Sequence, residues 1–144
     1  MEDVNSGKKK LVSVVLVEKP LEDVWEHWIR SASIKQWNIP FDDWHCPEVE
    51  NNFREGGQFN FRMERRIDHE GFDYVGIYER IIPFEYIEST SGGRSCIVEF
   101  QAIDHNTIIR ETFEPDTVTP LDLQENITHA VLLSFKKYVQ GRYS

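Results

Sequence analysis

The run Phe53-Arg54-Glu55-Gly56-Gly57-Gln58-Phe59-Asn60-Phe61 constrains the fold more than any other stretch of the chain. It joins a strand end, a glycine corner and a second strand in which large aromatics alternate with polar residues. Successive strand side chains point to opposite faces, so Phe59, Phe61 and Met63 share one face and Gln58, Asn60 and Arg62 the other. A curved antiparallel sheet with a bulky apolar inner face begins here.

The elements around this corner complete the pattern. A β-rich run, Leu-Val-Ser-Val-Val-Leu-Val, predicts a first strand over residues 11–17. Pro20 then opens a helix at its first position, with Leu21, Val24, Trp25, Trp28 and Ile29 on one apolar stripe. Glu22 and Asp23 suit the positive end of that helix and Arg30 the negative end. A second short helix is expected over 33–37, capped by Ser31 or Ser33, and an irregular segment over 38–48. Strands follow near 49–54, 57–67, 72–82, 86–91, 94–103 and 107–113, separated by turn-forming residues. Thr119, Pro120 and Asp122 then form a helix start, and Leu123, Ile127, Ala130, Val131, Ser134 and Tyr138 continue at helical spacing until Gly141 closes the helix. The order is strand, two helices, six hairpin-linked strands and one long helix. Such an α+β sheet must bury one face, and only the long helix is large enough to cover it.

A chain of 144 residues without repeats is read as a single domain over 1–144, with 1–8 as a loose tail, and it can build a core without metals or disulfides. The balance of 16 basic against 25 acidic residues, a net charge of −9, repels phosphate backbones and argues against nucleic acid or anionic membrane surfaces as partners. Lys8-Lys9-Lys10 reads as a solvated strand start. Cys46 and Cys96 are too few for a disulfide scaffold and read as reduced thiols. No signal core follows the N-terminus, and the apolar stretches fall far short of a membrane span, which points to the cytoplasm.

This order is the helix-grip arrangement, and particular residues carry a resemblance. Pro20-Leu21-Glu22-Asp23-Val24-Trp25, followed by Trp28 and Trp37, resembles the first helices of START-like proteins (the SRPBCC superfamily). Arg54-Glu55-Gly56-Gly57, Gly76-Ile77-Tyr78-Glu79, Ile82-Pro83-Phe84-Glu85-Tyr86-Ile87 and Asn106-Thr107 are similar to the group homologous to the C-terminal domain of the heat-shock-ninety ATPase activator. The likeness spans residues 11–139. It departs in the last helix, where His129-Ala130-Val131 stands in place of a frequent tryptophan. The resemblance implies a seven-stranded curved sheet gripping a long helix around a cavity that often holds an apolar ligand. Relatives range from lipid and hormone binders to polyketide cyclases and chaperone partners, so fold alone does not select function.

Strand alternation nominates a cavity lining. Phe59, Phe61 and Met63 turn inward from one strand, Val98 and Phe100 from another, and Ile109 and Glu111 from the last, where Thr107 and Phe113 share their face. Tyr78 joins them if Tyr74, Gly76 and Tyr78 form the inner face, although Val75, Ile77 and Ile81 on the other face are equally apolar. Ile127 and Val131 would face the sheet from the long helix, and Trp37, Phe41 and Trp44 would stand at the mouth. Trp25 and Trp28, on a regular stripe, read as structural. An inward Glu111 would sit in apolar surroundings that raise its pKa; a one-residue slip would instead turn it to solvent.

Sharp chemical signatures are missing. No Gly-x-Ser-x-Gly elbow or phosphate loop occurs, and Gly92-Gly93 is a hairpin turn. Asp42-Asp43-Trp44-His45-Cys46 packs its donors too tightly to converge on one ion, so no metal is expected. The histidines, His27, His45, His69, His105 and His129, are scattered, and His69 and His105 fall in turns. Three readings follow. The first is a non-catalytic binder of a small hydrophobic or lipid-like molecule, without cofactor. The second is a stress-associated adaptor for a heat-shock-ninety-type chaperone. The third is cyclase- or hydrolase-like chemistry with Glu111 as acid or base and Tyr78 as hydrogen-bond donor.

Overall fold

The computed structural model describes residues 10–142, so the expected N-terminal tail lies outside the described residues. In chain order the elements are β1 (Leu11–Val17), α1 (Leu21–Ile29), α2 (Ser31–Trp37), β2 (Trp44–Asn51), β3 (Gln58–Arg65), β4 (Gly71–Ile82), β5 (Tyr86–Ser91), β6 (Arg94–Ile103), β7 (Asn106–Phe113) and α3 (Leu121–Arg142). The strands form one sheet in the order β1-β7-β6-β5-β4-β3-β2. From β2 to β7 each strand pairs with its sequence neighbour, while β1 pairs with β7 from Leu11↔Phe113 to Val17↔Thr107.

The inner face is legible residue by residue. On β1, Leu11, Ser13, Val15 and Val17 are buried and Val12, Val14 and Leu16 exposed. Helix α3 lays Leu132, Phe135 and Val139, each fully buried, against the core, at about 1.5–3 kcal/mol of transfer free energy apiece. Trp28, Trp37 and Phe135 meet with ring centroids 4.6, 5.0 and 4.9 Å apart. Phe100 stands edge-on to Trp25 and Trp28. Such offset and edge contacts add roughly 0.5–1.5 kcal/mol each to simple burial.

Several boundaries differ from the sequence expectation, each for a local reason. β2 starts at Trp44 and so takes in part of the segment expected to be irregular. Pro47 is tolerated because β2 is an edge strand and its register shifts between His45 and Glu48. Neither serine caps α2: Arg30 occupies the cap position, and Ser33 is buried with its Oγ 2.8 Å from His27 Nδ1. Pro20 and Pro120 lie one position earlier than expected, because their carbonyls accept the first helical N–H bonds from Val24 and Gln124. Gly141 lies inside α3 and does not end it. The start of α3 is held by Gln124, whose side chain accepts from the Asp116 N–H and donates to the Thr119 carbonyl.

β4 resolves the ambiguity of its two apolar faces. Tyr74, Gly76 and Tyr78 turn inward, while Val75 and Ile77 are 37% and 46% exposed. The register then shifts between Tyr78 and Arg80, and Ile81 joins the core opposite Ile87. A bulge thus changes the parity of the strand, which is why apolar residues occur on both faces. The corner before β3 is held by Gly56 at φ +80°, a conformation that favours glycine.

Gly76 lies opposite Phe59, and a Cβ there would sit 2.3 Å from Phe59 Cζ and 2.8 Å from the Thr90 carbonyl oxygen. Gly76→Ala should therefore lower unfolding free energy by about 1–3 kcal/mol, the cost of overpacking a tight site. Urea denaturation of the two proteins checks this; an unchanged midpoint would show that Phe59 does not rest on that glycine.

Candidate functional site

The aromatic cluster fills only one end of the space between the sheet and α3. At the other end lies a cavity of about 310 Å³. Phe41, Trp44 and Phe72 form its rim on one side and Ile127 and Val131 of α3 the other, with Met63, Tyr74, Cys96, Glu111 and Phe113 as its floor on the sheet. A smaller chamber of about 110 Å³ adjoins it, walled by Trp37, Phe59, Phe61, Tyr78 and Val98. Asn38, Tyr74, Cys96, Glu111 and Val131 line both.

The residues nominated from sequence thus divide. Phe41, Trp44, Met63, Ile127 and Val131 meet at the larger cavity, and Trp37, Phe59, Phe61, Tyr78 and Val98 at the smaller one. Glu111 stands between them. Phe100 and Ile109 line neither cavity. They are 5% and 0% exposed and lie paired two residues along β6 and β7 from the Val98–Glu111 pair, toward the end that the tryptophans fill. Trp37 is not at the mouth: it is buried, and its indole N–H donates to the His27 carbonyl at 2.8 Å. Trp28, read as structural, also touches the smaller chamber.

β7 turns Thr107, Ile109, Glu111 and Phe113 to the inner face, which places Glu111 toward the cavities. Its Oε2 accepts a hydrogen bond from the Cys96 thiol at 3.3 Å. Burial pushes the Glu111 carboxyl up to about 7, and the thiol hydrogen bond offsets part of that rise. Burial also holds the Cys96 thiol well above its ordinary range, with the neighbouring carboxylate adding to the effect. The Tyr74 phenol is raised for the same reason, burial first and nearby negative charge second. Near neutrality the cavity therefore presents a protonated thiol, a protonated phenol and a carboxyl close to half-ionised. Such a carboxyl can donate a hydrogen bond when protonated and accept one when ionised.

Other polar groups have found partners away from the cavity. The Tyr78 hydroxyl donates to Asn51 Oδ1 at 2.6 Å, and Asn51 in turn donates to the Ile29 carbonyl. His129 Nδ1 lies 2.9 Å from Ser13 Oγ, tying α3 to β1. Arg62 is on the outer face with Glu64 and Asp73. Sequence reasoning set Tyr74 on the face of Tyr78 and Phe113 on the face of Glu111 without nominating either for the lining, and it missed Cys96, two residues before Val98 on β6. It also missed Ser91, Arg94 and Glu114 at the polar edge of the cavity. For these no pattern existed, because they come from the β5–β6 hairpin and from the residue after β7, which the Ser95–Glu114 hydrogen bonds bring together.

A seven-stranded sheet wrapped on a long C-terminal helix, with two short helices after β1, is the helix-grip fold of START-like proteins. The chain belongs to the Activator of Hsp90 ATPase homolog 1-like (AHSA1) family, whose model matches residues 18–137. Solved structures agree. An AHSA1-like protein from Aeromonas hydrophila, determined by solution NMR, is 27% identical with a TM-score of 0.88, covering 93% of this chain and 94% of its own. A Cytophaga hutchinsonii protein is 32% identical with a TM-score of 0.79, covering 92% and 93%. An Aha1 dimer from Colwellia psychrerythraea, at 14% identity and a TM-score of 0.72, covers 94% and 99% and shares the fold. A comparison with curated protein sequences gives no significant match. Among the described residues no helix is long and apolar enough to cross a membrane.

The raised Glu111 carboxyl has a measurable consequence. A carboxyl whose folded-state pKa of about 7 exceeds the ordinary 4.5 keeps its proton longer in the folded state. Its contribution is therefore fully present below pH 4.5 and is lost as pH rises through 7, a change on the order of 3 kcal/mol. Glu111→Gln removes this titration, so the variant should gain stability relative to the parent by roughly that amount between pH 4.5 and 8. Denaturation curves at both pH values measure the difference; a constant difference would mean that Glu111 ionises normally.

Proposed function

We propose that the chain binds a small, largely apolar molecule in the cavity between the sheet and α3, its polar end against Glu111, without chemical turnover. The observation that carries this reading is a mainly apolar cavity of about 310 Å³ with the Glu111 carboxyl set in its sheet wall and the other charged groups at its edge. That combination of apolar lining with few polar groups fixes a ligand's orientation while burial supplies affinity. The volume sits at the lower end of the ~300–1,000 Å³ range of small-molecule sites, which favours a compact ring system over a long acyl chain. The catalytic alternative asks Tyr78 to donate to a ligand, whereas its hydroxyl is engaged by Asn51. Glu111 is accordingly read as an anchor. Both cysteines are free, and we place the protein in a reducing compartment, the cytoplasm.

Family membership favours a second reading, in which the domain also engages a heat-shock-ninety-type chaperone. Adding the chain to such a chaperone and following its ATPase rate tests it: a saturable rise supports the reading, and an unchanged rate with no co-purification removes it.

The binding reading is tested with a panel of compact apolar ligands, scored by thermal shift and native mass spectrometry. At least one should raise the melting temperature and bind one to one. Ile127→Trp, which fills the larger cavity from α3, should weaken that ligand at least tenfold while leaving the unliganded fold intact. Equal affinity in parent and variant would place the ligand elsewhere.

A further inference from the structure

On the outer face of the sheet three donor side chains, two from β3 and the turn after it and one from β2, converge on one point. His45 Nε2 lies 3.1 Å and His69 Nδ1 3.4 Å from the same oxygen, Oε1 of Glu64. All three donor atoms lie within 4.8 Å of one another. We propose that His45, Glu64 and His69 form a binding site for a divalent transition-metal ion of the Zn²⁺ class.

The distances fit such an ion. With metal–nitrogen and metal–oxygen bonds of about 2.0–2.2 Å, tetrahedral ligands stand about 3.3–3.5 Å apart. Two of the three separations are already near that value, and the third closes with a small rotation of the exposed His69 ring. Two imidazoles and one carboxylate suit zinc and its neighbours, whereas magnesium and calcium prefer all-oxygen sites. The net charge of −9 favours cations in the vicinity of the protein.

The fold holds the three ligands in place independently of any metal. His45 and Glu64 are directly opposed across β2 and β3. His69 sits in the turn between β3 and β4 at φ +61°, a conformation that histidine adopts more readily than most residues. That turn is fastened by His69 N–H to the Arg65 carbonyl, by Arg65 N–H to the Glu70 carbonyl and by the Arg65–Asp68 ion pair. Arg66 ties it to the start of β2 through its N–H to the Asp43 carbonyl. Arg62 Nε donates to Glu64 Oε2 at 3.1 Å, which orients the carboxylate and leaves Oε1 to face the imidazoles. An outer-shell partner of this kind fixes a ligand's direction, while its positive charge weakens cation binding. His69 is 73% exposed, so water can complete the coordination.

The motif was hidden from sequence reasoning because Asp42-Asp43-Trp44-His45-Cys46 contributes only one donor to the cluster. Cys46 faces the interior, and the other two ligands come from β3 and the turn that follows it. The site also bears on the cavity. Trp44, next to His45, packs edge-on to Phe72 at the rim, so an ion bridging β2 to the β3–β4 turn would brace that rim from behind.

The test uses untagged full-length protein and Zn²⁺ alone, titrated calorimetrically and in competition with a chromophoric chelator. One ion per chain should bind, and His45→Ala and His69→Ala should each weaken binding at least tenfold. Because His69 is in an exposed turn, its loss leaves the core untouched, and circular dichroism confirms folding of each variant. Mg²⁺ at the same concentration should not compete. Absence of one-to-one binding, or Zn²⁺ affinity unchanged in both variants, would overturn the assignment.

Discussion

Trp28, Trp37 and Phe135 pack edge to face and offset between the first two helices and α3, and this cluster sets the distance at which α3 rides over the sheet. Three large rings cannot be compressed, so α3 is held away from the strands along its whole length. At the end where Leu132, Phe135 and Val139 bury completely, side chains from α1, β6 and β7 fill the gap. Toward the N-terminal end of α3, where Ile127 and Val131 face Tyr74 and Glu111, they do not. The cavity is thus a by-product of how the aromatic end is packed.

That arrangement also explains the chemistry of the wall. β7 runs from the filled end to the open end, so alternate residues on one strand meet different surroundings: Ile109 in the dry core, Glu111 and Phe113 at the cavity. A carboxyl on this strand loses water on burial and gains only the Cys96 thiol as a hydrogen-bond partner, which offsets part of the rise in its pKa. The desolvation that raises its pKa is the same feature that makes it useful for orienting a ligand. Family membership is consistent with this economy of means, in which one scaffold serves many partners through a few side chains.

The sequence carried the element order and most of the inner face because both rest on short-range periodicity. Phe59, Met63, Val98 and Glu111 follow from alternation on regular strands, and Trp25 from the helical stripe. Failures cluster where regularity breaks. Pro47 concealed the start of β2, since an edge position and a bulge that tolerate proline are properties of the assembled sheet. The two apolar faces of β4 were undecidable until the bulge after Tyr78 split the strand into two parities. Phe100 and Ile109 have the right facing but the wrong address, because alternation gives the side of a strand and not the distance along the cavity. His45, Glu64 and His69 carried no local pattern at all; only cross-strand register and a turn bring them together.

The most direct test of a cavity under α3 that accepts an apolar molecule is methyl NMR of the protein titrated with a ligand found to stabilise it. The methyl resonances of Met63, Ile127 and Val131 should shift together and saturably, because those groups face one space from β3 and α3. Val14 and Ile77, exposed on the outer face, should stay still. Shifts confined to the outer-face methyls would contradict the account and place binding on the far side of the sheet.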